Sequence, residues 1–112
     1  MKLVTAIVQP DRMEEVQRAL VRHGVSGMTI SEVSGYGHQR GHVEVYRGAE
    51  FTIDFILKVR VEVLVTDAAL DDVVTVIADA ARTGQIGDGK IFVAPLEQAV
   101  RIRTGERDTD AL

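Results

Sequence analysis

The 112-residue chain contains no cysteine. That absence removes disulfides, thiolate zinc centres and cysteine nucleophiles, and it fits a reducing, cytoplasmic compartment. Positive charge is not in excess either. Thirteen Lys and Arg stand against 17 Asp and Glu, a formal net charge of -4, so no direct contact with nucleic acid is expected. Long hydrophobic runs are missing. The stretch Met1 to Val8 is apolar but short, a charge arrives at Asp11, and no small-residue cleavage site follows. It therefore reads as a strand and not a signal peptide, and no run approaches the length needed to cross a membrane. The familiar catalytic signatures are absent as well: no serine elbow, no HExxH, no carboxylate pair on an evidently rigid element. What is left, 46% hydrophobic and 27% charged residues, is ordinary for one globular domain spanning residues 1–112.

Lys2 to Gln9 is β-branched and apolar, is bounded by Pro10, and predicts a buried first strand. Pro10-Asp11 offers a turn and an N-cap carboxylate. Met13, Val16, Ala19 and Leu20 recur at helical spacing, and His23-Gly24 is a helix stop. His23 is most simply a solvated last-turn residue. Met28 to Ser34 alternates and predicts a second strand. From about 37 to 55 no period is evident, and so long a connection in a small domain usually carries function. His38 and His42 within it are four apart, but glycines flank them and no helix presents them to a metal.

Lys58 to Thr66 is the clearest strand, with Val59, Val61, Val63 and Val65 on one face and Lys58, Arg60, Glu62 and Leu64 on the other. Asp67 caps the next helix on this reading, and Leu70, Val73, Val74, Ile77 and Ala81 form its apolar stripe up to Gly84. Ile91 to Ala94, stopped by Pro95, is a fourth strand. Val100-Arg101-Ile102-Arg103 alternates again and would aim both arginines the same way. The tail, 104–112, is polar and reads as mobile. The order β-α-β, β-α-β gives an α+β, ferredoxin-like βαββαβ sandwich with two helices on one face of a four-stranded sheet. The opposite face, carrying Ile30 or Val33 and Leu64, then needs a cover, and self-association supplies one.

The densest chemistry lies in Arg82-Thr83-Gly84-Gln85-Ile86-Gly87-Asp88-Gly89-Lys90-Ile91-Phe92. Three glycines and a lysine in seven residues describe a loop whose N–H groups can meet an anion beside a cation. The spacing approaches a Walker A loop, but Ile91 stands where Ser or Thr would hold Mg²⁺, and the loop leaves a helix and enters a strand, the reverse of a P-loop. As a plain helix-to-strand connection the stretch would be equally satisfactory. With Lys58, Arg101, Arg103 and Gln39, it makes a set suited to binding a polyphosphate and a small carboxylate. None of these groups is a positioned general base.

Two stretches then resemble the signatures of the PII family of nitrogen-regulatory signal-transduction proteins: Tyr46-Arg47-Gly48-Ala49-Glu50-Phe51, and Thr83 through Phe92. Gly35-Tyr36-Gly37, Gln39-Arg40-Gly41, Lys58 and Val100 through Arg107 extend the likeness over essentially the whole chain. The resemblance implies a homotrimer with nucleotide clefts between subunits, where ATP and ADP compete, and a regulator, not an enzyme. It implies nucleotide contacts at Thr29, Gly35, Gly37, His38, Gln39, Glu62, Leu64, Gly87, Asp88, Gly89, Lys90, Arg101 and Arg103. It implies 2-oxoglutarate contacts at Gln39, Arg40, Gly41, Lys58 and Gly87, with Gln39 on Mg²⁺ together with ATP and 2-oxoglutarate. The segment from about 37 to 55 becomes the T-loop, which docks on an ammonium transporter or a nitrogen-metabolism enzyme, the membrane being met only through the transporter.

Four residues depart from the family pattern. Phe51 replaces the tyrosine that accepts a nucleotidyl group, so no modification is expected there. His38 replaces an arginine near phosphate, Gln9 a lysine near the effector, and Leu57 a proline before Lys58. Two alternatives stand beside this reading. One is a PII-like sensor of carbon or another metabolite using adenine nucleotides, and the other is a slow ATPase.

Overall fold

A computed structural model describes residues 1–36, 43–46, 49–52 and 55–112, with only the backbone considered for 43–46 and 49–52. Strand β1 (Lys2–Val8) is followed by a 3-10 turn over Pro10–Arg12 and helix α1 (Met13–Arg22). Strands β2 (Thr29–Gly35), β3 (Val43–Tyr46), β4 (Ala49–Thr52) and β5 (Ile56–Val65) precede helix α2 (Leu70–Ala81), and β6 (Lys90–Pro95) closes the sheet. Four strands pair antiparallel in the order β2-β5-β1-β6, the strand order of a ferredoxin-like sandwich. The hairpin β3-β4 pairs Val43 with Thr52 and Tyr46 with Ala49, within a stretch whose sequence showed no period.

Alternation decides which strand face is dry. Val59, Val61, Val63 and Val65 of β5 are buried with Val4, Ala6 and Val8 of β1, and Val16, Leu20, Val73, Ile77 and Ala81 of the two helices close over them. Both helices thus cover one face of the sheet, as the valine pattern predicts. The other face is built from the alternate residues. Cross-strand register sets Leu3 against Leu64, and aligns Thr29, Glu62, Thr5 and Phe92 in one row. Leu64 and Phe92 stay exposed there, although Thr5 and Lys58 on the same face are buried, so among the described residues this face is only partly covered. Register also settles the choice between Ile30 and Val33. Val33 pairs with Lys58 on the open face, whereas Ile30 pairs with Val61 on the helix side.

Several local expectations need correction. Asp11 makes no capping bond, because Pro10–Arg12 forms a 3-10 turn that satisfies itself through backbone contacts. Asp67 does not cap α2. Thr66 Oγ1 accepts the Ala69 N–H and caps a 3-10 turn over Asp67–Ala69 that leads into α2, while Asp67 accepts from the Met1 ammonium and Lys2 Nζ, both at 2.9 Å. Helix α2 ends at Ala81 and Arg82 is already extended, before Gly84 is reached. Val100 to Arg103 is not a strand. A single bridge joins Val100 to Arg107, and bonds from Arg101 N–H to Glu106 O and from Gly105 N–H to Arg101 O fold the stretch into a tight turn. The arginines therefore do not share a strand face. The tail is folded back too, with a 3-10 turn over Asp108–Ala111 and an Arg101 guanidinium bond to Leu112 O at 3.3 Å.

Candidate functional site

The predicted site residues fall into two groups on the structure. The first gathers where β2 and β5 run out beside the loop between α2 and β6. Lys58 is 5% exposed, an ammonium taken out of water, and among the described residues its hydrogen bond goes to the Gly87 carbonyl oxygen. A buried ammonium whose hydrogen bond goes to a neutral carbonyl, with the Asp88 carboxylate near enough to feel its charge, is an arrangement that favours an anion at this place. Gly35 is packed tightly here: a Cβ on it would lie 3.2 Å from the Lys58 side chain.

The loop itself is shaped from within. Asp88 accepts the Thr83 N–H at 2.8 Å, the Gly84 N–H at 2.9 Å, and the Thr83 hydroxyl. These bonds hold the Asp88 carboxyl below the usual carboxylate range, the Thr83 hydroxyl contributing most. Among the described residues, and outside the strand ladders, the N–H groups of Gly87 and Gly89 have no acceptor, while a hydrogen-bonded turn over residues 85–88 engages the Asp88 N–H. Free N–H groups with Lys90 adjoining them are what an anion cradle needs. At its end the loop presses onto the sheet, because a Cβ on Gly89 would stand 1.7 Å from Ile7 O. Ile7 and Lys90 are register partners, so this close approach fixes the loop against β1.

The second group lies toward the other end of β5. Thr29, Glu62, Leu64 and Arg101 line a cavity of about 650 Å³, large enough for a nucleoside. Thr29 and Glu62 are register partners, and Glu62 also accepts the Thr5 hydroxyl at 3.3 Å and lies 3.7 Å from Arg60. The remaining wall went unread in the sequence. It comes from the α1–β2 connection, residues 23–28, from Thr66, Ala69 and Val73, and from Ala111 and Leu112. The one signal for it was the pair Gly24 and Gly27, which bracket a short connection. Arg103 does not line this cavity; it is exposed in the turn after Arg101.

Glu62 and Lys58 are four residues apart on one strand, roughly 13 Å at strand rise. The two groups thus stand apart on one chain. Gly37, His38, Gln39, Arg40 and Gly41 lie outside the described residues. Among those described, no cluster of three or more His, Asp or Glu could hold a metal ion. No helix there is long and apolar enough to cross a membrane.

The sequence profile of the family described as Nitrogen regulatory protein P-II matches residues 1–106. The chain belongs to the P-II family of nitrogen regulatory proteins. Nitrogen regulatory protein P-II of Microchaete diplosiphon is 55% identical over 112 residues, spanning all of both chains. That of Nostoc punctiforme is 54% identical, and nitrogen regulatory protein GlnK of Escherichia coli K12 is 52% identical, each again over the full length of both chains. P-II proteins are regulators and not enzymes. The relation also accounts for the match at Thr83 to Phe92, the most specific motif of the chain.

Proposed function

We propose that this P-II protein senses ATP and ADP in clefts between subunits of a homotrimer, with 2-oxoglutarate as effector beside Mg²⁺. It then signals through the segment from about 37 to 55, the family's T-loop. The observation that carries the reading is the loop with unpaired Gly87 and Gly89 N–H groups, set between Lys90 and the buried Lys58. Phosphate oxygens would meet those donors and Lys90. The ammonium of Lys58, held by one carbonyl, would gain a full charge partner in a carboxylate of 2-oxoglutarate.

The separation of the two groups supports the shared cleft. Thr29, Glu62, Leu64 and Arg101 form an adenine-and-ribose-sized wall that includes no residue of the glycine loop. Trimer contacts through the open sheet face, where Leu64 and Phe92 are exposed, would bring one subunit's wall to a neighbour's loop. Gln39 would hold Mg²⁺ together with oxygens of both ligands. The bound state would bias the T-loop toward or away from docking on an ammonium transporter or a nitrogen-metabolism enzyme, by differential contacts at Lys58 and the β2 and β5 ends. The cytoplasm is the compartment this role requires.

Calorimetry with ATP, ADP and cyclic nucleotides, each with and without 2-oxoglutarate and Mg²⁺, tests the reading. ATP and ADP should compete for the same sites, and 2-oxoglutarate should strengthen ATP binding alone. Tight binding of a cyclic nucleotide with no response to 2-oxoglutarate would transfer the protein to another sensory task.

A further inference from the structure

A carboxylate inside a phosphate-binding loop is an anomaly, since a like charge at that distance opposes the ligand. The geometry around Asp88 removes it. An ionised carboxylate has about four acceptor positions, and three of those on Asp88 are taken by Thr83 N–H, Thr83 Oγ1-H and Gly84 N–H. Thr83 Oγ1 in turn accepts the Gln85 N–H at 3.2 Å. Together these bonds tie the start of the loop to the residue before Gly89. They also satisfy the N–H groups of Thr83 and Gly84, which lie past the end of α2, whose last backbone bond is Arg82 N–H to Ala78 O. At the far end, Lys58 anchors Gly87 O and Gly89 rests on Ile7.

We propose that Asp88 is a positioning residue that folds the 83–89 loop through Thr83 and Gly84, its side chain clasping the loop and leaving the phosphates to the backbone. Thr83 is the other half of the clasp. The inference rests on the nucleotide reading of the loop, and it makes a prediction of sign that a phosphate-facing carboxylate does not share. Removing a negative charge that faced the ligand would tighten ATP binding. Removing the clasp loosens it.

The test measures ATP affinity of the full-length protein and of D88N, D88A, T83V and T83S, with urea unfolding and amide NMR on each. Asp88→Asn and Thr83→Val should each weaken ATP by about five- to fifty-fold, the loss of one or two charge-assisted bonds. Their urea midpoints should stay close to wild type, because the loop is exposed. Thr83→Ser keeps the hydroxyl and should restore near-normal affinity. Asp88→Ala combined with Thr83→Val should be no worse than Asp88→Ala alone, since both break one unit. In the ligand-free protein the Thr83 and Gly84 amide resonances should shift in D88N. Tighter or unchanged ATP binding by D88N, or additive losses in the double variant, would overturn the proposal. A wild-type protein that binds no adenine nucleotide would instead overturn the reading of the loop, and this role with it.

Discussion

Substituting Gly89 by alanine should be among the most damaging single-methyl changes available in this chain. Gly89 sits at φ +96°, a conformation that costs an L-residue about 1–2 kcal/mol. The new Cβ would also lie 1.7 Å from Ile7 O and 2.8 Å from Ile7 C, both well inside van der Waals contact. Relief requires either β1 or the loop to retreat by more than an ångström. Ile7 cannot yield easily, because it is paired to Arg60 on one side and to Lys90 on the other. Disturbing those ladders adds about 1 kcal/mol for each hydrogen bond weakened. The sum is about 3–5 kcal/mol, a large part of a domain's net stability. Gly84 supplies the control. It has φ +86° but open space where a Cβ would go, so Gly84→Ala should cost only the conformational part, about 1–2 kcal/mol. Urea denaturation of both variants at one protein concentration reads the difference. Equal costs for the two would show that the loop does not press on β1, and the fixed cradle would have to be abandoned.

Three further outcomes follow from the same geometry. Ile77, fully buried between α2 and the valine face, should lose about 2–5 kcal/mol on substitution by alanine, read as a lower urea midpoint. The Met1 ammonium and then Lys2 hold the Asp67 carboxyl at about 2, below its ordinary 3.8. The stability this contributes should be complete above about pH 4 and disappear as pH falls through 2, and Asp67→Asn should flatten that part of an acid-unfolding profile. Arg103→Ala should weaken ATP binding by about 1.5–3 kcal/mol if the arginine donates to a phosphate from a neighbouring subunit; unchanged calorimetric affinity would remove it from the site.

The parts of the fold that the sequence made legible are those where one strong pattern faces no competitor. Four valines at alternate positions from Val59 to Val65 allow one face to be buried, and the helices covering them follow from their own stripes. Capping was less legible, because Thr66 and Asp67 are adjacent and both suit an N-cap. The choice fell to Thr66 once Asp67 met a cation more than sixty residues away, a long-range contact that no local pattern carries. Val100 to Arg103 misled for a related reason. Four alternating residues suit an edge strand, but their partners lie in the next five residues, where Gly105 lets the chain reverse. The glycine loop was visible through its glycines and Lys90, while its internal bonds to Asp88 were not, since Asp88 read most simply as one more ligand contact. The cavity residues Thr29, Glu62 and Leu64 could be named from resemblance, yet the wall from residues 23–28 and the folded-back tail depends on packing.

The most direct measurement of the central claim is subunit complementation. Lys90→Ala disables a chain's own phosphate loop, and Arg103→Ala disables what it lends to a neighbour. Each variant alone should bind ATP poorly. Unfolding and refolding the two together should regenerate intact clefts wherever a wild-type loop meets a wild-type arginine, about one quarter of them for random threefold assembly. Recovery of high-affinity ATP binding at about that stoichiometry would establish a cleft shared between subunits. Mixed oligomers that form but recover no tight binding would contradict it.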